Sequence, residues 1–225
     1  LGEQLPGLME AGLDAVNISL DTLEETTFRK ITRRDDFHQV LKGLRAALSY
    51  PSLKVKLNCV PTFQSDEELL QVAALARENP LHVRFIEMMP IGLGKEFAAR
   101  GEEQIKAVLE KEYGLMTPTE EKLGNGPCHY YTLEEFTGRI GFISALSHKF
   151  CDSCNRVRLT STGFLKGCLQ FEDGADLKVL LRSGCSDGML KETIEKVIYE
   201  KPVGHNFQEH KKGNEESHIM AQIGG

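Results

Sequence analysis

The chain of 225 residues contains no tryptophan, and aromatic residues make up only 7% of it. So few rings offer no stacking platform for single-stranded nucleic acid. Positive charge is also short: 27 Lys and Arg against 33 Asp and Glu leave a formal net charge of −6. That excludes a general basic surface for nucleic acid and confines any anion site to a local cluster. No apolar run approaches ~20 residues, so no membrane-spanning helix is expected. No secretory leader is visible either, and the expected compartment is the cytoplasm, or the mitochondrial matrix of a eukaryote. In such a compartment the six cysteines read as reduced thiols or metal ligands, not as a disulfide framework. What is present, 40% hydrophobic and 27% charged residues, is the composition of a soluble globular protein. The length suits one large domain, or one domain with an appendage.

Leu1, Leu5, Leu8 and Met9 already follow helical spacing, with Gly12 placed as a C-cap. The chain is therefore expected to be a fragment that begins inside a helix. Up to about residue 90 helix and strand patterns alternate. Strands are predicted over 14–20, 53–61 and 82–89, and helices over 24–34, 37–49 and from the Ser65-Asp66-Glu67-Glu68 capping box to about Arg77. Repeated strand–helix units imply a parallel sheet, open or closed into a barrel, with functional residues at the C-terminal strand ends. Ser19, Asp21, Lys56, Asn58, Glu87 and Met89 lie at or near those ends. Residues 91–101 read as a loop, 102–113 as a helix and 116–127 as a surface linker. Strands follow near 128–133 and 138–143, then helices over 177–182 and 186–200, then a polar, irregular tail from Lys201.

The densest chemistry lies at Phe150-Cys151-Asp152-Ser153-Cys154-Asn155-Arg156-Val157-Arg158, followed by Cys168. The spacing C-x2-C-x13-C suits a zinc ion or an iron–sulfur cluster, and spacing alone does not choose between them. No obvious fourth ligand completes the set, and an iron–sulfur cluster held by three cysteines leaves one iron open to a substrate. Arg156 and Arg158 fall on one side of an extended strand, and paired guanidiniums suit a phosphate-bearing ligand.

Four blocks together resemble a known family: Asn17-Ile18-Ser19-Leu20-Asp21-Thr22, Phe85-Ile86-Glu87-Met88-Met89-Pro90, the cysteine segment with Cys168, and the final Ile223-Gly224-Gly225. In order and approximate spacing they resemble the MoaA family, the radical-SAM GTP 3′,8-cyclases of molybdenum cofactor biosynthesis, across essentially the whole chain. The resemblance implies an α/β fold: the C-terminal part of an incomplete (β/α)6 TIM-like barrel in residues 1–95. Residues 96–225 would form an α+β region that carries the second [4Fe–4S] cluster and covers the barrel opening. It also implies ligands for that cluster at Cys151, Cys154 and Cys168. GTP contacts are implied at Lys56, Arg156, Val157 and Arg158, S-adenosylmethionine contacts at Ser19 and Met89, and a catalytic tail at Gly224 and Gly225. Cys59 and Cys128 are read as packing residues, and Cys185, in the helix–helix turn Ser183-Gly184-Cys185-Ser186 where the family does not use cysteine, as an ordinary small residue and not a fourth ligand.

The family's C-x3-C-x2-C motif, which holds the first [4Fe–4S] cluster, occurs nowhere in these residues. The fragment alone is accordingly expected to be inactive. In the intact enzyme the resemblance implies that a 5′-deoxyadenosyl radical takes hydrogen from C3′ of GTP. The ribose radical then closes onto C8 of guanine, and a MoaC-type partner receives the product. A homodimer is a candidate assembly. Two other readings of the residues stay open: another radical-SAM enzyme with an auxiliary cluster, and a non-catalytic zinc or iron–sulfur module. Ser217 to Gln222 replace the family's more usual Arg-Pro-Met before the terminal glycines, which leaves the anchoring of the tail open.

Overall fold

The computed structural model describes residues 1–98, 100–121, 123–207, 216 and 223. The family resemblance implies a division near residue 95. The folded chain groups Leu1–Met88 with Ala98–His148 in one compact unit, and Met89–Phe97 with Lys149–Gly225 in another.

The first unit is a mixed six-stranded sheet. β1 (Ala15–Ser19), β2 (Lys54–Cys59) and β3 (Leu81–Ile86) are parallel; β4 (Thr117–Thr119), β5 (His129–Thr132) and β6 (Arg139–Ile143) complete the order β1-β2-β3-β6-β5-β4. β6 joins β3 in parallel, while β5 and β4 add antiparallel. Helices α1 (Leu5–Glu10), α2 (Glu25–Thr32), α3 (Phe37–Leu48), α4 (Asp66–Glu78) and α5 (Glu102–Tyr113) connect and cover the strands.

Alternation along the strands separates two chemistries. Val55, Leu57, Cys59, Val83, Phe85, Ile140 and Phe142 share a buried core with Leu44, Leu69, Val72, Ala76, Ile105 and Leu109 of the helices. The intervening residues face the other way, and the register aligns Asn17 with Lys56 and Lys56 with His82. The capping box at α4 forms as its sequence predicts. The Glu68 amide donates to Ser65 Oγ at 3.2 Å, and the Ser65 amide donates to Glu68 Oε2 at 2.9 Å.

Three local expectations change. β3 stops at Ile86 and does not run to Met89, because Glu87 turns its carboxylate onto the loop after β6. The segment expected as a linker over 116–127 contributes β4, where the Thr132 hydroxyl donates to the Thr117 carbonyl at 3.2 Å. The loop over 91–101 contains a 3₁₀ turn at Gly92–Glu96, in the second unit.

The second unit carries a three-stranded antiparallel sheet, β7 (Arg158–Leu159), β8 (Phe164–Lys166) and β9 (Gly174–Asp176), with helices α6 (Leu177–Arg182) and α7 (Asp187–Tyr199). Both helices start at side-chain caps. Asp176 Oδ1 accepts from the Val179 amide at 2.9 Å, and Ser186 Oγ accepts from the Met189 amide at 3.3 Å. An α/β class with a parallel run of strands matches the sequence expectation.

Gly138 sets how closely β6 can approach. Its amide donates to the Ala76 carbonyl at 2.7 Å, and a Cβ built there collides with the Leu81 carbonyl. The neighbouring atoms are backbone, which cannot step aside cheaply. Gly138→Ala should therefore lower stability by roughly 3 kcal/mol, read as a lower midpoint in urea unfolding. A midpoint equal to that of the parent would show that β6 tolerates a wider approach.

Candidate functional site

In the first unit the polar face of the sheet gathers cations among amides. Arg84 donates from Nε to Asn58 Oδ1 at 2.8 Å and from Nη2 to Asn17 Oδ1 at 2.9 Å. Lys56 is only 9% exposed, and its ammonium donates to the Leu123 carbonyl. Burial first, and the neighbouring Arg84 charge second, hold the Lys56 pKa below its ordinary value. His82 is likewise depressed, chiefly by burial, and its buried Nδ1 has no hydrogen-bond partner among the described residues. Two cations, Lys56 and Arg84, thus stand close to an unpaired ring nitrogen on this face, where a counter-charge would relieve their mutual repulsion.

Of the residues expected at strand ends, Ser19 closes β1 and is exposed, in register with Asn58. Met89, half-buried, belongs to the second unit, where its carbonyl accepts from the Ile91 amide at 2.8 Å. Arg84 and His82 were missed. Their signal was the same period-2 alternation that exposed Lys56 and Asn58, carried into His82-Val83-Arg84-Phe85.

Glu87 is a structural carboxylate. Its Oε2 accepts from the amides of Leu146 at 2.6 Å and Ser147 at 2.9 Å, fixing the loop after β6. Beside that loop, Glu102 is buried and collects four partners. His129 Nε2 lies 2.7 Å and the Tyr131 hydroxyl 3.2 Å from Oε1; His148 Nδ1 lies 3.3 Å from Oε2, which also accepts from the Ser144 hydroxyl. Burial pushes the Glu102 carboxyl up. The bonds from His129 and Ser144 and the charges of His129 and His148 outweigh it and hold the group at about 2. Cys59 is fully buried, with its thiol raised well above the usual range by burial. Cys128 is raised to about 11 for the same main reason. Both behave as packing residues.

In the second unit Cys151 opens a 3₁₀ turn, Cys151–Ser153, and the Cys154 amide donates to the Cys151 carbonyl at 3.1 Å. Cys168 follows β8 by two residues. All three thiols are free and half-buried. Among the described residues no three His, Cys, Asp or Glu side chains stand at metal-ligating geometry. The three cysteines instead border one turn that follows α7. Lys201 Nζ lies 3.8 Å from Cys154 Sγ. A Cβ at Gly204 would lie 3.8 Å from Cys151 Sγ. Cys168 lines a pocket of about 240 Å³ together with Lys201 and Pro202. Three thiols on segments that border one stretch of chain, with a polar pocket beside them, supply the soft donors of an iron–sulfur or zinc ligand set in chemistry, though not in spacing.

β7 begins only at Arg158, so Arg156 precedes the strand and does not share it as the spacing predicts. The cause is local: the Arg156 carbonyl is drawn to Lys201 Nζ at 2.7 Å. Val157 between the arginines is 42% exposed. Cys185 sits between α6 and α7. Gly224 and Gly225 lie outside the described residues. In the tail, Glu216 pairs with buried Lys166, and its amide donates to the Gln170 carbonyl at 2.6 Å.

Residues 81–207 match the family model described as Molybdenum Cofactor Synthesis C. A protein of Clostridium perfringens named GTP 3′,8-cyclase is 44% identical over 227 residues, covering 100% of this chain and 69% of that protein. The protein of the same name from Syntrophomonas wolfei is 42% identical over 222 residues, covering 97% of this chain and 68% of its own length. That of Agrobacterium fabrum is 39% identical over 204 residues, covering 89% and 58%. No helix among the described residues is long and apolar enough to cross a membrane.

The Glu102 cluster carries a pH signature. A carboxyl depressed in the folded state contributes stability that is present above its unfolded value near 4.5 and is lost as pH falls toward about 2. Glu102→Gln should flatten the acid limb of the stability–pH curve across that window, while costing about 3 kcal/mol at neutral pH through the lost buried partners. Thermal unfolding followed by circular dichroism from pH 7 to pH 2 reads both effects. An unchanged acid limb would assign the acid sensitivity to other carboxylates.

Proposed function

The chain belongs to the GTP 3′,8-cyclase family of molybdenum cofactor synthesis, and on that premise we propose that Lys56, Arg156, Val157 and Arg158 bind GTP while Cys151, Cys154 and Cys168 hold an iron–sulfur cluster. The observation that supports the reading is that Cys154 and Cys151 lie beside Lys201 and Gly204, that Cys168 lines a pocket with Lys201, and that Arg156 and Arg158 follow Cys154 directly in sequence. When bound, the cluster supplies an iron without a fourth protein ligand, and S-adenosylmethionine with the family's first [4Fe–4S] cluster supplies the radical that starts the rearrangement.

The chain's own residues bind and orient. The guanidiniums of Arg156 and Arg158 take phosphate oxygens through charge-assisted hydrogen bonds. Lys56, already depressed and bonded to a backbone carbonyl, gains a full counter-charge when a phosphate arrives. Arg84, held in a fixed pose by Asn58 and Asn17, adds a second charge on the same face of the sheet. Positioning of this kind is the protein's main share where a cofactor carries the reaction.

At the finer level we read β1 to β3 and their helices, within residues 1–95, as later units of a partial barrel. Residues 96–225 are read as the family's C-terminal region, with Ser19 and Met89 contacting S-adenosylmethionine. Gly224 and Gly225 serve as the close-approaching tail, where the missing side chains leave room beside substrate. The product passes to a MoaC-type enzyme in the cytoplasm or mitochondrial matrix.

Anaerobic reconstitution should load about four irons and four sulfides per chain. The double change Arg156→Ala with Arg158→Ala should leave that content intact and weaken GTP binding at least about tenfold for each arginine, measured by isothermal titration. One zinc without sulfide would replace the cluster reading by a zinc module. Unchanged GTP affinity would remove the arginines from the phosphate site.

A further inference from the structure

Lys201 is a residue that neither the cysteine spacing nor the arginine pair points to. It follows α7, and its backbone amide donates to the Ile198 carbonyl at 3.4 Å, which ties it to the last turn of that helix. Its ammonium reaches back across the unit to the cysteine segment. Nζ lies 2.9 Å from the Cys154 carbonyl, 2.7 Å from the Arg156 carbonyl and 3.8 Å from Cys154 Sγ. An ammonium has three donors, and here two are taken by carbonyls on either side of Asn155 while the sulfur stands within reach of the group.

The surroundings hold the lysine in that pose. Gly167, one residue before Cys168, is buried, and a Cβ there would lie 2.9 Å from the Val197 carbonyl and 3.0 Å from Lys201 Cγ. Glycine at 167 thus lets the end of α7 lie against the strand that leads to Cys168. Lys201 lines the pocket that Cys168 also lines. One cation therefore stands beside one thiol by direct approach and beside a second by sharing its pocket.

We propose that Lys201 is a positioning and charge-tuning residue for the group held by Cys151, Cys154 and Cys168. It pins the backbone of the Cys154–Arg156 segment and offers a fixed positive charge and an N–H donor to the Cys154 sulfur. The inference rests on the ligand reading given above. Hydrogen bonds and charge at ligating sulfurs set reduction potential. A cation at that place favours the form with one more electron, so its removal shifts the potential to more negative values.

The experiment uses the anaerobically reconstituted chain of 225 residues, with iron and sulfide counted and the potential read by dithionite titration under an EPR or visible-absorbance signal. Lys201→Met should lower the midpoint potential by an amount near a tenfold change in the reduction equilibrium, ~59 mV for one electron. Lys201→Arg, which keeps the charge, should stay close to the parent. Lys191→Met, the same charge loss on the exposed face of α7, should leave the potential unchanged. If Lys201→Met fails to load, Lys201→Gln, which keeps a donor without the charge, takes its place in the titration. A loaded Lys201 variant without the charge but with the parental potential overturns the proposal, as does a Lys191 variant that shifts as far. A parent chain without iron and sulfide overturns this proposal and the ligand reading together, whereas a normal metal count with an unmoved potential overturns this one alone.

Discussion

Four parallel strands in register, β1, β2, β3 and β6, are the constraint on which the first unit depends. In a sheet of this kind a residue's face is decided by odd or even position, and a slip of one residue would exchange the two faces. Here the apolar set of each strand is held under the helices, so the register is locked by burial. The polar set is then obliged to share the opposite face. Lys56, His82 and Arg84 stand together there because their apolar neighbours Leu57, Val83 and Phe85 are buried. The close passage at Gly138, where no side chain is tolerated, lets a strand from much later in the chain complete this arrangement.

The carboxylates at the far end of those strands have a different task. Glu87 and Glu102 are both buried, yet each is hydrogen-bonded, Glu87 through Oε2 to two loop amides and Glu102 to side chains from β5 and from the loop after β6. A buried ionised carboxylate is tolerated only with such partners. The two groups hold irregular backbone in one conformation at the place where parallel α/β sheets put their functional loops. They thus act as anchors for loops.

The second unit has little regular structure to rely on. Its strands are two or three residues long, so the cysteine segment takes its shape from specific bonds. The Lys201 ammonium bridges two carbonyls, Gln170 exchanges bonds with Asn206 from both ends of its amide, and Lys166 is paired with Glu216. Removing one such bond displaces the segment more than a similar loss in the first unit would, because no ladder of neighbouring strands holds the backbone in place.

Local chemistry was enough to place the helices and long strands. The Ser65 capping box and the alternation in 53–61 act within a few residues and do not need the rest of the chain. Membership of the family was also legible, since it depends on residue type and spacing. The short strand at Thr117–Thr119 was not legible, because three residues hold no periodicity and pair only when β5 is beside them. Nor was Arg84 as a partner of Asn17 and Asn58, which are 67 and 26 residues away. Lys201 shows the division most plainly. As a lysine in a polar tail it carries no signal in sequence. Its meaning comes from the end of α7, the missing side chain at Gly167 and the position of the Cys154 sulfur, which only the folded chain brings together. The amino-acid sequence by itself determined which groups are available and which local elements form. The tertiary structure decided which of those groups meet, because contacts between distant residues depend on strand order and close packing, neither of which is written within a local stretch of chain.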